Sequence, residues 1–432
     1  MNAKVSAFLS KHNFVQHIDI DTFSQALLSD MRKGINGEKS DEDMIRTWTN
    51  PPEAKVKNQK VIVIDAGGTN FRSCLVTFDA NGVPSISNLE KTSMPGIEKE
   101  LSFKEFFDKF AENLEHLKNQ ADSIGFCFSY PTEIQKDGDG ILLGFSKEVK
   151  APEVVGKPIG KSLADALVEH GWNRPKRVSL LNDTVAALLA GAASGAQGIE
   201  YSSYIGFILG TGMNAAYIQP AIPGSKDFAS SQIVVCESGK FCSVIQSDFD
   251  KEVDSKTTKP GTFFMEKGCS GAYLGPLSYS ALTMASKEGL LSPKVAEKIL
   301  ALDKLTLIEA SAYLEHPYDT NYVLAKILAE CGTEEDYDFI FQTLDAIVER
   351  SARYSATILA ACVIQSGAGT IPTKPVCILC NGSTYHKTYK IYERVKGYLE
   401  ELLTRQKGLY WDIIAVENDI TLGAAIGGLI ER

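Results

Sequence analysis

The sequence predicts an α/β fold in two lobes, and three observations carry that expectation. The chain has 432 residues with 44% hydrophobic content, more than one simple core takes up. Short apolar runs of strand length alternate with stretches of helical spacing. A strand–turn–strand unit with glycine and threonine at its tip occurs twice, over residues 61–79 and 204–218. A repeat that far apart suggests two lobes of similar topology and has too long a period for a solenoid.

The elements follow in order. A first helix is expected where Phe23, Ala26, Leu27 and Met31 share one face, with Asp21 as its N-cap. Residues 33–59 are polar and broken by Pro51 and Pro52. Residues 61–65 form a continuous apolar run, hence a buried strand, and 66–70 form a tight turn before a return strand over 72–79. Ser102 and Glu105 make a capping box. Phe103, Phe106, Phe107, Phe110, Leu114 and Leu117 then recur at helical spacing, as a core face. Strands are expected at 123–129 and 178–181. The second runs into Asn182-Asp183-Thr184 and a small-residue helix over 185–194. The second hairpin has strands at 204–209 and 213–218. The remainder is mostly helical, over 339–364 and 386–403, with a strand at 376–380 and a Gly/Ala-rich helix over 421–430.

Composition excludes several classes. Charged residues are 23% and the net charge is −10, without the basic stripe of a nucleic-acid binder. No run reaches the roughly 18 apolar residues of a membrane helix, and residues 1–14 lack the apolar stretch of a signal peptide. Nine cysteines scattered through apolar segments read as a reduced, cytoplasmic chain. Cys377 and Cys380 lie inside an apolar run and read as strand residues. The six histidines show no HExxH and no paired spacing with cysteine, so no zinc site is expected.

Two tips and one strand end carry candidate chemistry. Gly67 and Gly68 let backbone N–H groups approach a phosphate. Asp65 stands where it can hold Mg²⁺ through water, and Thr69, Asn70 and Arg72 add donors. Gly210, Thr211 and Gly212 repeat the arrangement, and two such tips facing one cleft would clamp a triphosphate. Asn182 and Asp183 end a strand and open a helix, a position that faces the cleft in α/β folds. A carboxylate there can take a proton from a hydroxyl attacking phosphorus. Read alone, Asp183 fits a helix N-cap equally well. The string from Gly156 to Ser162 imitates a P-loop, but it has three residues between its glycines where four are needed; Ser162 is expected to start a helix instead.

In chain order, IDAGGTNFR, GFCFSYP, ILLGFSKEV, LLNDTVAALLAG, GFILGTGMNAAYI, FMEKGCSGAYLGPL and CNGSTYHK resemble the motifs of the hexokinase family, over nearly the whole stretch from Val61 to Arg432. The resemblance implies the two-lobed actin-like ATPase (ribonuclease H-like) fold with an active-site cleft between lobes. It places a small lobe over 56–181, completed by a C-terminal helix over 417–432. The large lobe takes 182–416 with the N-terminal region 1–55. The implied activity is ATP-dependent phosphorylation of the 6-hydroxyl of glucose, with mannose and fructose as further acceptors and Mg²⁺ as cofactor.

Asp183 becomes the base for the sugar hydroxyl, and Lys147 lies near the transferring phosphoryl group. Ser129, Ser146, Asn182, Asn214, Glu237 and Glu266 become sugar contacts, groups that both donate and accept as a ring of hydroxyls requires. Asp65, Gly67, Gly68, Thr69, Asn70, Arg72, Gly210, Thr211 and Gly212 form the phosphate and metal side, and Gly382, Ser383 and Thr384 approach the adenosine.

Three positions depart from the family pattern. Ser146 stands in place of Thr, Cys-Glu237-Ser-Gly in place of Asn-Thr-Glu-Trp-Gly, and Asp419-Ile420-Thr421-Leu422-Gly423 in place of a Ser/Gly-rich string. The length corresponds to one catalytic unit, as monomer or homodimer. A kinase for another hexose or amino sugar, and a catalytically silent sugar sensor, remain as alternatives. An actin-like or chaperone-type ATPase would not need the Asn/Glu/Ser sugar set.

Overall fold

The computed structural model describes residues 2–15, 17–145, 149–194 and 198–431. Two helices open the chain, α1 (Ala3–Lys11) and α2 (Ile20–Ile35). The first escapes the pattern reading, although Val5, Phe8 and Leu9 are buried at helical spacing and Asn2 caps it. The cap of α2 is Asp19, which accepts from the Thr22 N–H at 2.7 Å. Asp21 sits one residue inside the helix, where its carboxylate pairs with Lys407 at 2.7 Å. The polar stretch that follows holds a two-residue strand, β1 (Ile45–Arg46).

The first hairpin is β2 (Gln59–Gly67) and β3 (Asn70–Phe78), continued by β4 (Pro84–Ser93). After α3 (Phe103–Asn113), with its Ser102–Glu105 capping box in place, come β5 (Ser123–Phe128), β6 (Thr132–Ile134), β7 (Gly140–Leu142), α4 (Ile159–Glu169), β8 (Arg177–Leu181) and α5 (Asp183–Ser194). The second hairpin is β9 (Ser203–Leu209) and β10 (Met213–Gln219), continued by β11 (Gln232–Val235).

A helical stretch then runs through α6 (Asp248–Ser255), α7 (Phe264–Cys269), α8 (Gly271–Lys287), α9 (Pro293–Leu300), α10 (Leu307–Glu315), α11 (Val323–Cys331) and α12 (Glu334–Ser366). The chain closes with β12 (Val376–Asn381), α13 (Ser383–Lys387), α14 (Ile391–Leu399), β13 (Trp411–Ile414) and α15 (Asp419–Leu429). The single helix expected over 386–403 is divided. Lys390 adopts φ 52° between α13 and α14, and residues Glu400–Gln406 widen into a π-helical turn.

The repeat seen in sequence is a repeat of topology. One sheet runs β4-β3-β2-β5-β8 and the other β1-β11-β10-β9-β12-β13. In each, an antiparallel hairpin is extended on one side by a third antiparallel strand and on the other by two parallel strands. The third strands escape the pattern reading. β4 is almost wholly exposed at a sheet edge, and β11 is only four residues long.

Helices α5 and α15 lie between the sheets in a core that includes Val63, Leu181, Val185, Ala216, Leu379 and Leu422. Their approach depends on missing side chains. A Cβ on Gly423 would collide with the Ala186 carbonyl, and one on Gly428 would sit 2.6 Å from the Gly125 nitrogen. The rejected P-loop string is settled by chemistry. Helix α4 begins at Ile159, three residues before Ser162, and the Asp139 carboxylate accepts from the Gly160 and Lys161 N–H groups at 2.6 and 2.9 Å. The N-terminus that would cradle a phosphate already holds an anion.

Candidate active site

The C-terminal ends of β2, β5, β8, β9 and β12 deliver the candidate residues, as expected where parallel strands meet a cleft. At the first tip Gly67 pairs with Asn70, so Gly68 and Thr69 form a two-residue hairpin loop. Gly68 takes φ 61°, a conformation glycine adopts without penalty. The Tyr130 hydroxyl donates to the Gly68 carbonyl at 2.9 Å, and the Met94 N–H donates to the Thr69 carbonyl at 3.0 Å. With its carbonyls tied back, the loop turns its N–H groups outward. Among the described residues no acceptor takes the N–H of Gly68 or Thr69.

Asp65, at the end of β2, lies 3.4 Å from Arg72 across the hairpin. Burial raises the Asp65 carboxyl above its ordinary range, and Arg72 opposes the rise. The sugar-motif residue Ser129 packs on this tip. Its N–H donates to the Ala66 carbonyl at 3.1 Å, and a Cβ on Gly67 would sit 2.9 Å from Ser129 Cβ.

The second tip is built the same way. The Gly210 carbonyl accepts from the Gly271 N–H at 2.8 Å and the Thr384 hydroxyl at 2.9 Å, and the Thr211 carbonyl accepts from the Ala272 N–H at 3.1 Å. The Gly210 N–H is spent inside the turn on the Gly212 carbonyl, at 2.9 Å. Among the described residues the Thr211 and Gly212 N–H groups have no acceptor. Gly382, with φ 116°, brings the start of α13 against this turn, its Cα 3.8 Å from where a Gly210 Cβ would be. Ser383 is exposed beside it, while Thr384 is buried and buttresses the turn.

The polar set that the resemblance assigns to sugar gathers around β10. The Asn214 amide donates to Glu237 at 2.8 Å, and the Asn214 carbonyl oxygen accepts from the Glu237 N–H at 3.0 Å. Glu266, at the start of α7, accepts from the Met213 N–H at 3.0 Å. Its Cβ lies 3.1 Å from where a Gly239 Cβ would be. Both glutamates depend on backbone in the left-handed region, Glu237 at φ 58° and Phe263, which precedes α7, at φ 57°. Non-glycine residues held there cost of order 1–3 kcal/mol and cluster at functional sites.

Burial pushes Glu237 up to about 7; Lys240 opposes the rise, and the Asp43 and Asp183 carboxylates add to it. Its folded pKa therefore exceeds the ordinary carboxylate value. The stability it contributes is present at low pH and is lost as pH rises toward 7.

Asp183 opens α5 directly beyond β8. Asn182 accepts from the Thr184 N–H at 2.9 Å and so acts as the cap, with Asp183 accepting from the same N–H at 2.8 Å. The ambiguity left by the sequence resolves in favour of Asn182 as N-cap. The Asp183 charge adds to the rise of the buried Glu237 carboxyl and, with Asp65 and Asp419, to that of the buried Cys127 thiol, which burial pushes well above its usual range. Ser146 and Lys147 lie outside the described residues.

Asp419 was not among the candidate residues read from the sequence. It opens α15, and both its oxygens accept from the Asn381 amide, at 2.8 and 2.7 Å, beside Gly382. Its only signal in the sequence was the odd string that replaces the Ser/Gly-rich pattern.

A carboxylate oxygen is the kind of ligand that Mg²⁺ takes while keeping several waters, and Asp65 supplies one beside the Gly68–Thr69 turn. Among the described residues no group of three or more His, Cys, Asp or Glu side chains could hold a metal ion by itself.

Two family models described as Hexokinase match the chain, over residues 204–430 and 6–193. Hexokinase-1 of Schizosaccharomyces pombe is 28% identical over 428 residues, covering 94% of this chain and 86% of that protein. Glucokinase-1 of Kluyveromyces lactis is 27% identical over 392 residues, covering 81% of each. Among solved structures, a hexokinase from Schistosoma mansoni complexed with glucose has a TM-score of 0.79 at 22% identity and covers 98% of both chains.

Proposed function

The chain belongs to the hexokinase family, a phosphotransferase acting on a hexose hydroxyl, and on that premise we propose that it transfers the γ-phosphoryl group of ATP to the 6-hydroxyl of glucose with Asp183 as the base. The position of Asp183 supports this reading: it opens α5 directly beyond the end of β8, where a carboxylate faces the cleft in α/β folds, and it accepts from the Thr184 N–H at 2.8 Å.

Asn214, Glu237, Glu266, Ser129 and Asn182 bind the sugar hydroxyls and orient O6. Their paired hydrogen bonds explain discrimination, since an analogue lacking a hydroxyl leaves buried polar groups unpaired. Asp183 takes the O6 proton as O6 bonds to the γ-phosphorus and the bond to the ADP oxygen breaks. The open N–H groups of the two turns receive the phosphates. Asp65 would hold Mg²⁺ through water, and bound Mg²⁺ neutralises charge on the phosphate oxygens. Lys147 belongs to the phosphoryl side and Ser146 to the sugar side, by resemblance.

The cleft lies between a small lobe over 56–181, completed by 417–432, and a large lobe over 182–416 with 1–55. All nine cysteines are free, which supports a reduced, cytoplasmic setting. No described helix is long and apolar enough to cross a membrane.

A panel assay tests the substrate reading. ADP release from Mg-ATP is expected with glucose and, more slowly, with mannose or fructose; faster release with N-acetylglucosamine would transfer the assignment to an amino sugar.

The protonation of Glu237 gives a second test. Log kcat/KM for glucose, which reports the free enzyme, is expected to fall as pH drops through about 7. In Glu237→Gln that inflection should vanish, and an unchanged profile there would assign it to another group.

A further inference from the structure

The loop that carries Glu237 does not hold its own shape. It runs from Cys236 through a short 3-10 turn over Ser238–Lys240 and leaves Glu237 in the left-handed region. Its outer side is lined by residues 41–47 of the N-terminal stretch, laid antiparallel along 242–233. The Thr47 hydroxyl donates to the Ile233 carbonyl at 2.7 Å, Ile45 pairs with Val235, and the Met44 N–H donates to the Cys236 carbonyl at 3.4 Å. Asp43 forms an ion pair with Lys240, and the Asp41 carboxylate accepts from the Cys242 N–H at 2.9 Å. Asp30 of α2 fixes the strip in turn, accepting from the Asp41 N–H at 3.0 and 3.1 Å and from the Glu42 N–H at 2.8 Å.

Between Asp41 and Asp43 the side chain of Glu42 points inward and is 1% exposed. It faces the Ser238 hydroxyl, itself 1% exposed and next in the chain after Glu237. Among the described residues neither Glu42 Oε2 nor Ser238 Oγ has a hydrogen-bond partner, so the two buried polar groups lie close together without a formed bond. Burial, reinforced by Asp30 and Asp41, pushes the Glu42 carboxyl well above its usual range, which favours the protonated form, a hydrogen-bond donor.

We propose that Glu42 is a positioning residue for the acceptor sugar: buried opposite Ser238 in the strip laid along the loop, it holds the Glu237 loop in the conformation that binds hexose. A carboxyl buried against a loop of strained backbone, with its Oε2 unpartnered, is otherwise a net cost to the fold. The proposal rests on Glu237 being a sugar contact.

The test compares Glu42→Gln, Glu42→Ala, Ser238→Ala and Glu237→Ala for kcat, glucose KM, ATP KM and melting temperature. Glu42→Ala is expected to raise glucose KM about ten-fold or more, with ATP KM within about two-fold. Glu42→Gln keeps the shape and the donor of the protonated acid and should restore glucose KM to within about two-fold of wild type. A Glu42→Ala chain that melts earlier but binds glucose normally overturns the proposal, as does Glu42→Gln behaving like Glu42→Ala. If Glu42→Ala does not fold, Ser238→Ala decides: a raised glucose KM at near wild-type stability supports the proposal, and an unchanged KM overturns it. Glu237→Ala separates the two readings. An unchanged glucose KM there removes the sugar loop itself, whereas a raised one beside a silent Glu42→Ala removes only the role of Glu42.

Discussion

Asp183→Ala is expected to lower kcat for glucose by about 10²–10⁴-fold, the range a positioned general base supplies. A primary alcohol is a poor nucleophile until its proton leaves, and Asp183, at the strand end where α5 begins, is the carboxylate proposed to take it. The fold should not suffer, because Asn182 rather than Asp183 is the cap of α5. Asp183→Asn is the sharper control. It preserves shape and accepts the Thr184 N–H in the same way, but it cannot take a proton, so kcat should fall nearly as far. Glucose affinity measured by calorimetry should stay within about ten-fold of wild type, since the lost interaction acts mainly in the transition state. A loss confined to KM would turn Asp183 into a sugar contact.

Arg350→Ala is expected to remove about 3–5 kcal/mol of stability, the cost of leaving one partner of a buried ion pair alone. Arg350, in the middle of α12, is 2% exposed and grips Asp250 with two bonds of 2.7 Å. Burial alone would raise the Asp250 carboxyl, but the guanidinium overrides it and holds the group below its usual range. The ring of Phe14 lies 4.5 Å from the guanidinium, so the pair also ties down the N-terminal segment. Its influence reaches the site, because Gly268 of α7 packs against Tyr354 and Arg350, and α7 carries Glu266. Arg350→Lys should recover only part of the loss, since a single ammonium cannot form the two-pronged contact. Urea unfolding measures the effect, and a loss below about 1 kcal/mol would mean that water or a neighbour takes up the Asp250 charge.

Most of the frame that holds the candidate residues was legible in sequence because it rests on local rules. A glycine turn between apolar strands, and a carboxylate where a strand meets a helix, are both written within a few consecutive residues. Asp65, Gly67, Gly68, Asp183, Gly210 and Gly212 were singled out as candidates that way. The parts that escaped depend on distant pairing. Strand β1 has two residues and exists only because β11 lies beside it. Glu42 reads as one acid in a polar stretch until the fold buries it against Ser238. Asp419 looks like a departure from a motif until Asn381 meets it from β12. The cap of α2 was placed two residues late, at Asp21 instead of Asp19, because aspartate is an equally good cap at either position by residue type.

The central claim is that one carboxylate, Asp183, couples hexose to ATP. ADP release from Mg-ATP with and without glucose, in wild type and in Asp183→Ala side by side, tests it most directly. The account predicts rapid release that requires glucose in the wild type and collapses by about 10²-fold or more in the variant. Release that proceeds equally without glucose, or that survives the loss of Asp183, would contradict it.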